Sequence, residues 1–427
     1  MNMNLYGHNG QWLMVDCGVT FNAPLKPGDI REFEVVCADP SFITRQKENL
    51  AGLVITHAHE DHIGAVAHLW RRLRCPVYTT AFTAEFLRRK LAETGLVGKV
   101  PVFEVPSGGL VDIGPFNIHW LALTHSLPEP HSLVIRTEAG AVFHTGDWKI
   151  DQHPVIGAPF DPAPFQALAD QNVLAMICDS TNTLRPGRSV SEGDCFNPLL
   201  KQIEQAKGRV VVACFGSNIA RLITLCRIAE QTKRFVGLMG RSLQNIVSVA
   251  RTTGHWPNDV PLIESSHLAY LPRSEVLAIA TGSQGEPRTA LGRLASDTHF
   301  DMELESGDTV IFSSIIIPGN EQAVARMINQ LRTKGINIIM HTDDNAPIHA
   351  SGHPCAEEVK TLYQWVQPAI AAPTHGEAEH LTANARIAKS AGIKRQMTGK
   401  NGDLFVFTGQ PRIVRQFAQT GRIILRE

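Results

Sequence analysis

The chain is predicted to adopt an α/β fold in two domains, and three observations carry that expectation. Short apolar runs of β-forming residues alternate with amphipathic helical patterns along most of its length. Its 427 residues exceed the ~250–300 at which a single hydrophobic core usually stops growing. Side chains suited to metal binding gather between residues 57 and 147 and resume only at 349–377. The middle of the chain therefore reads as an insertion into a metal-binding domain. Borders at 183 and 345 divide the chain into 1–182, 183–345 and 346–427.

The elements follow in order. Trp12-Leu13-Met14-Val15 reads as a strand ending at Asp16, and Leu53 to Thr56 as a second. Ile63 to Leu73 has a helical pattern, with Ile63, Val66, Ala67 and Trp70 on one face. Val102 to Leu123 is expected to form two strands around the turn Asp112-Ile113-Gly114-Pro115. Leu133-Val134-Ile135 and Ala141-Val142-Phe143 read as a hairpin, and Val173 to Cys178 as a strand ending at Asp179. In the middle region the strands at 210–212, 235–238, 277–279 and 310–312 end in small or polar residues. Helical patterns follow two of these ends, at Ile219 to Ala229 and Leu243 to Ala250. Repeated strand–turn–helix units predict a parallel sheet whose polar ends line a cleft.

Composition excludes several classes. The apolar fraction, 43%, is that of an ordinary globular protein. No apolar run approaches the ~18–20 residues needed to cross a bilayer, so no membrane association is expected. Met1-Asn2-Met3-Asn4 offers no basic n-region and h-region, so no secretory signal is expected. The eight cysteines form no Cys-x-x-Cys pair, which predicts buried free thiols in a reducing cytoplasm. A net charge of −1 argues against tight, non-specific duplex binding but leaves the substrate open.

The most informative stretch is His57-Ala58-His59-Glu60-Asp61-His62, directly after the apolar segment Leu53-Val54-Ile55. Imidazoles suit zinc, and carboxylate oxygens complete a site able to hold two ions. Side chains alternate along an extended segment, so His57 and His59 face the same way and can bind one ion. Asp61 and His62, expected on the following turn, can bind a second. His125, Asp147 and His375 each follow a strand-like run and supply the further donors such a site needs. Two ions on one site point to hydrolysis of a phosphate or acyl ester.

These residues resemble a known family. The run at 57–62 matches the His-x-His-x-Asp-His element of the metallo-β-lactamase superfamily, with Asp16, His125 and Asp147 matching its other motifs in order. Asp179-Ser180-Thr181, His349-Ala350-Ser351-Gly352-His353 and Pro373-Thr374-His375-Gly376-Glu377 look like the three further motifs of its β-CASP nucleases. Within that group, 145–151, Thr281-Gly282-Ser283-Gln284-Gly285-Glu286-Pro287 and Pro318-Gly319-Asn320-Glu321 resemble ribonuclease J, and the similarity runs from about residue 3 to the end.

The resemblance implies an αββα sandwich with an inserted α/β β-CASP domain. It implies two zinc ions, with manganese as the alternative active metal. His57, His59, His125 and Asp147 would hold the first ion, and Asp61, His62, Asp147 and His375 the second. Asp16 would orient a ligand histidine. Asp179 would do the same for a neighbouring imidazole, and His353 would protonate the leaving oxygen, so that Asp61, Asp179 and His353 are the expected catalytic residues. His349 and Ser351 are expected to hold a phosphate one nucleotide away. Ser217, Ser283 and Ser313-Ser314 are expected at a 5′-phosphate, with Arg241 and Arg288 as alternative contacts. His8, His68, His119, His131, His144 and His153 read as ordinary surface or packing residues.

The implied activity is hydrolysis of single-stranded RNA, 5′→3′ from a 5′-monophosphate, with endonuclease cleavage as a second mode. A small-molecule metallohydrolase acting on a lactone, thioester or lactam is the alternative. Two departures from the family pattern stand out. The chain starts just after where a Gly-rich strand with Gly-Glu-Ile-Gly would lie, so a truncated first strand is expected. It stops at Glu427, where longer ribonuclease J proteins continue into a C-terminal domain that aids oligomerisation. This reads as a short form, with a homodimer the expected assembly.

Overall fold

A computed structural model describes residues 1–21, 35–286, 288–341 and 346–425. Two sheets pack face to face. The first runs in the order Asn4–His8, Gln11–Val15, Leu50–Val54, Val77–Thr79, Val102–Glu104. The second runs Arg395–Gln396, Ile370–Thr374, Val173–Asp179, Gly140–His144, His131–Thr137, Phe116–Ala122, Leu110–Ile113. Alternation along each strand sends Leu13, Val15 and Val54 from one sheet against Trp120, Leu133 and Ile135 from the other, closing a dry core. Outside the first sheet lie the helices Val66–Leu73 and Ala81–Glu93, burying Leu69, Leu73, Phe82 and Leu87. Outside the second, Ala356–Val366 packs Val359, Leu362 and Tyr363 against Phe143 and Met176. The layers are therefore helix, sheet, sheet, helix.

A third sheet is wholly parallel, in the order Phe235–Met239, Val276–Ala280, Val210–Ala213, Thr309–Phe312, Asn337–Met340. Both of its faces are covered, which is why its strands read as continuous apolar runs. Val210 and Val212 pack with Leu222 and Leu243 on one side, while Val211 and Ala213 pack with Leu291 and Leu331 on the other. The chain enters this region after Val173–Asp179 and returns in Ile370–Thr374, which pairs parallel with the strand it left, Asp179 opposite Thr374. An excursion of this length thus leaves the second sheet continuous.

The sequence expectations hold for the hairpin and for the four central strands, and several details differ. The segment from Val102 to Leu123 makes three strands rather than two. Pro106-Ser107-Gly108-Gly109 breaks it, so Val102–Glu104 joins the first sheet and the other two join the second. The helix expected from Ile63 is divided into Glu60–Ile63 and Val66–Leu73. The amide of Ala65 turns away to donate to the Cys17 carbonyl at 3.0 Å, interrupting the helical ladder. Asp61 and His62 consequently sit on a short helix, not on a turn. A fifth inserted strand, Asn337–Met340, was not expected. The border at 345 and Pro287 lie outside the described residues. All eight cysteines are buried and unbridged. No helix among the described residues is long and apolar enough to cross a membrane.

Candidate metal centre

Strand ends build the site. Val15, Val54, Ala122, His144, Asp179 and Thr374 close strands whose carboxyl ends meet at one edge of the sandwich. The residues just beyond them are Asp16, His57, His125, Asp147 and His375, with Asp179 itself at a strand end. Parallel register does the aligning: the Asp16 amide donates to Val54 at 2.8 Å, and the Thr145 amide to Ile177 at 3.0 Å. Asp16 and His375 both take left-handed backbone, at φ +64° and +53°, conformations that cost energy and cluster at functional sites.

Two groups of donor atoms result. His57, His59, His125 and Asp147 form one, and Asp61, His62, Asp147 and His375 the other, with the ligand-type atoms of each group within 4.8 Å of one another. Asp147 belongs to both, and to a third such group with Asp179, His353 and His375. Its Oδ2 lies 3.1 Å from His62 Nε2 and 3.7 Å from His57 Nε2, while Oδ1 lies 2.7 Å from His375 Nδ1. Every donor anticipated from the sequence is therefore in place.

The imidazoles are held by their outer nitrogens. His62 Nδ1 donates to Asp16 Oδ2 at 2.7 Å, and His57 Nδ1 to the Thr56 hydroxyl at 3.0 Å. His125 Nδ1 donates to the Gly352 carbonyl at 2.6 Å, and His59 Nε2 shares a hydrogen bond with Ser126 Oγ at 3.2 Å. With the outer nitrogens of His57 and His125 donating, their inner nitrogens present lone pairs to the site. His59 Nδ1 then lies 3.0 Å from both His57 Nε2 and His125 Nε2. Three ring nitrogens at this spacing can be held together by a cation among them. Tetrahedral zinc with bonds of ~2.0–2.1 Å brings its nitrogens to about 3.3 Å apart, so the donor set fits such an ion.

Electrostatics agree. Burial pushes His57 and His125 well below the ordinary imidazole range and His59 to about 4, keeping all three neutral. Around the second group burial acts the same way, but the carboxylates prevail. Asp147, Asp61 and Asp16 raise His62, and Asp147 above all lifts His375 to about 10. Burial opposes ionisation of Asp147 and Asp61 as well, yet the neighbouring imidazoles hold both carboxyls well below the usual range. This is a pocket whose carboxylates draw in positive charge.

A third constellation borders it. Asp179 Oδ2 accepts from His353 Nδ1 at 2.8 Å, and His353 Nε2 is turned towards Asp147 Oδ2 at 3.8 Å. Burial lowers and the carboxylates of Asp179 and Asp147 raise the affinity of His353 for a proton, with a net upward shift. Its side chain remains 21% exposed, enough to meet a substrate. Gly352 is indispensable here, because an added Cβ would fall 2.5 Å from His125 Cε1.

The phosphate contacts expected from the sequence are less uniform. Ser351 Oγ accepts from Asn182 Nδ2 at 2.8 Å, which shapes the loop. His349 is mostly covered, and its Nδ1 is buried with no hydrogen-bond partner among the described residues. Ser217 and Ser283 sit at neighbouring strand ends of the third sheet, Ser283 buried and Ser217 half-buried. Ser313 is committed elsewhere, donating to the Ile348 carbonyl at 2.7 Å. Arg241 and Arg288 are exposed. Of the ordinary histidines, His131 bridges Glu129 and Ser107, and His144 meets Tyr6. Sequence reasoning missed Thr56, Asn2, Ser126 and the Gly352 carbonyl. Asn2 Nδ2 donates to Asp61 Oδ2 at 3.2 Å from a segment with no motif, and only the adjacency of Thr56 to the histidine run marked it.

Fold and donor set define a metallo-β-lactamase-type hydrolase, and three family models match in series. They are described as the metallo-beta-lactamase superfamily over residues 2–166, the beta-CASP domain of ribonuclease J over 207–331, and a Zn-dependent metallo-hydrolase RNA specificity domain over 345–397. The chain is 43% identical over 427 residues to ribonuclease J of Sinorhizobium meliloti, covering 99% of this chain and 75% of that one. It is 38% identical over 394 residues to ribonuclease J of Mycolicibacterium smegmatis, at 92% and 69% coverage. It is 36% identical over 412 residues to ribonuclease J 1 of Streptococcus pyogenes, at 95% and 72% coverage. The chain belongs to the ribonuclease J family. A crystal structure of a protein of unknown function from Enterococcus faecalis shares the fold, with a TM-score of 0.61 over 96% of both chains at 14% identity.

Replacing Asp16 by Asn leaves its backbone in place but weakens the acceptor for His62. Divalent-ion affinity is expected to fall about 10–100-fold. Metal-buffer titration followed by elemental analysis reads this directly, and unchanged affinity would show that Asp16 does not support the ligand.

Proposed function

We propose that the chain hydrolyses the phosphodiester bonds of single-stranded RNA with two bound zinc ions, acting 5′→3′ on 5′-monophosphorylated ends and secondarily within the chain. The observation that carries this reading is the pair of donor groups sharing Asp147 with His353 alongside. His57, His59, His125 and Asp147 would hold one ion, and Asp61, His62, Asp147 and His375 the other. When bound, two such ions supply Lewis acidity at the scissile phosphate and acidify the attacking water. The chain at 183–345 is taken as the inserted β-CASP domain, whose strand ends, with Ser217 and Ser283, would cradle the 5′-phosphate through hydroxyls and backbone amides. His349 and Ser351 are assigned to the phosphate one nucleotide away. Free, buried thiols support a cytoplasmic setting.

The chain's own residues handle the proton. His353 presents Nε2 to the site, and Asp179 fixes its tautomer and favours its charged form. A protonated imidazole there can donate to the departing 3′-oxygen. Asp61 stands on the opposite side, its Oδ2 3.3 Å from His375 Nε2, and so fixes that ring.

Three measurements test the reading. Release of mononucleotides from 5′-monophosphorylated RNA, well ahead of 5′-triphosphorylated or 5′-hydroxyl RNA and matched DNA, is expected; no cleavage of any polymer would refute it. His353→Ala should lower kcat about 10²–10⁴-fold while bound metal stays at the wild-type level; loss of metal would instead make His353 a ligand. The third is a pH profile. Because Asp179 raises the pKa of His353, activity persists above the ordinary imidazole range and fades as pH climbs through the raised value. Asp179→Asn should therefore move the alkaline limb of kcat to lower pH.

A further inference from the structure

A buried polar chain crosses from the third sheet into the loop that carries His353. Arg221 stands in the first turn of the helix Ile219–Gln231, directly after the strand end at 213–218, and is fully buried. Its Nε donates to Glu192 Oε1 at 2.8 Å, and its Nη1 donates to the Ile348 carbonyl at 2.8 Å and to Ser313. Ser313 Oγ donates to the same Ile348 carbonyl at 2.7 Å. On the other side the Glu192 amide donates to Asp151 Oδ2 at 2.9 Å, and Lys149 pairs with that carboxylate at 2.8 Å. The Asp151 amide and the Lys149 carbonyl both meet Thr124 Oγ1, at 3.1 and 2.7 Å. One network thus ties together the segments next to His125, Asp147 and His353.

Placing ionised groups in such a setting is costly. Desolvating a guanidinium and a carboxylate together is often no better for stability than an apolar pair of equal volume. The pair's contribution is better sought in where it holds the backbone. Within five residues of Ile348 the loop supplies Gly352 to His125 and His353 to Asp179. Among the described residues the grip on the Ile348 carbonyl comes from Arg221 and Ser313, both belonging to the inserted sheet region.

We infer that Arg221, with Ser313, is a positioning residue: it locks the 348–353 loop so that His353 Nε2 meets the leaving oxygen, coupling the inserted sheet to the proton-transfer step. This rests on the assignment of His353 as proton donor. Misplacement of a reacting group by about 1 Å can cost on the order of 100-fold in rate, so the coupling should be visible kinetically.

The test is a double-mutant cycle on the full, metal-loaded chain. Glu192→Gln/Arg221→Gln removes both charges together and avoids stranding one. Ser313→Ala weakens the same grip without touching the ion pair, and serves if the paired variant does not fold. Each is measured alone and combined with His353→Ala, by single-turnover cleavage of 5′-monophosphorylated RNA, with KM and metal content alongside. The expected result is at least a tenfold loss of rate in the paired variant and a smaller one in Ser313→Ala. KM and bound metal should stay unchanged, with no further loss in the His353→Ala background. Rates within about twofold of wild type, or losses that multiply fully with His353→Ala, would overturn the coupling alone. A wild-type rate for His353→Ala itself would instead overturn the donor assignment, and the coupling with it.

Discussion

The buried carboxylate of Asp147 is the constraint on which the rest depends. It stands between two groups of imidazoles, touches members of both, and cannot be stable there as an isolated charge. Its neighbours hold it ionised despite burial, and it in turn raises the proton affinity of His62 and His375. An anion so placed is satisfied only by positive charge at its two oxygens. The hydrogen bonds behind His57 and His125 direct lone pairs towards that same volume, and the one behind His62 turns its Nε2 to it.

Strand termini supply the rigidity this arrangement needs. A donor set built on free loops would lose conformational entropy each time it closed on an ion. Here His57, His125, Asp147 and His375 follow strands whose register is set by ladder hydrogen bonds, and Asp61 and His62 sit on the short helix Glu60–Ile63, so most of that cost is met in folding. The same logic explains how an insertion after Asp179 is tolerated. Parallel pairing of Val173–Asp179 with Ile370–Thr374 brings His375 beside Asp179 whatever lies between. The buried Arg221 and Glu192 join the inserted sheet to the loop carrying His353.

Much of the site was legible in the sequence because short-range rules govern it. His57, His59, Asp61 and His62 sit within six residues, and strand-end placement follows from apolar runs that stop at polar residues. The four central strands of the inserted sheet were readable for the same reason, since strands buried on both faces are continuously apolar. Other features were hidden. Asn337–Met340 is a four-residue edge strand, partly exposed and too short to show a pattern, and the break at Gly64-Ala65 depends on the distant Cys17 carbonyl. Asn2 reaches Asp61 and Ser126 reaches His59 from segments with no local signature, and Gly352 acts through its backbone carbonyl, which residue type does not mark.

The sequence by itself determined the α/β class, the insertion and the identity of the metal-type donors, because periodicity and residue chemistry are local properties. Tertiary structure alone decided which nitrogen of each imidazole faces inward, how Asp147 is shared, and that Ser313 grips a backbone carbonyl instead of facing a ligand. Those outcomes depend on hydrogen-bond partners up to 228 residues away, such as His375 for Asp147. No local pattern encodes a partner at that distance; only the register of the assembled sheets does.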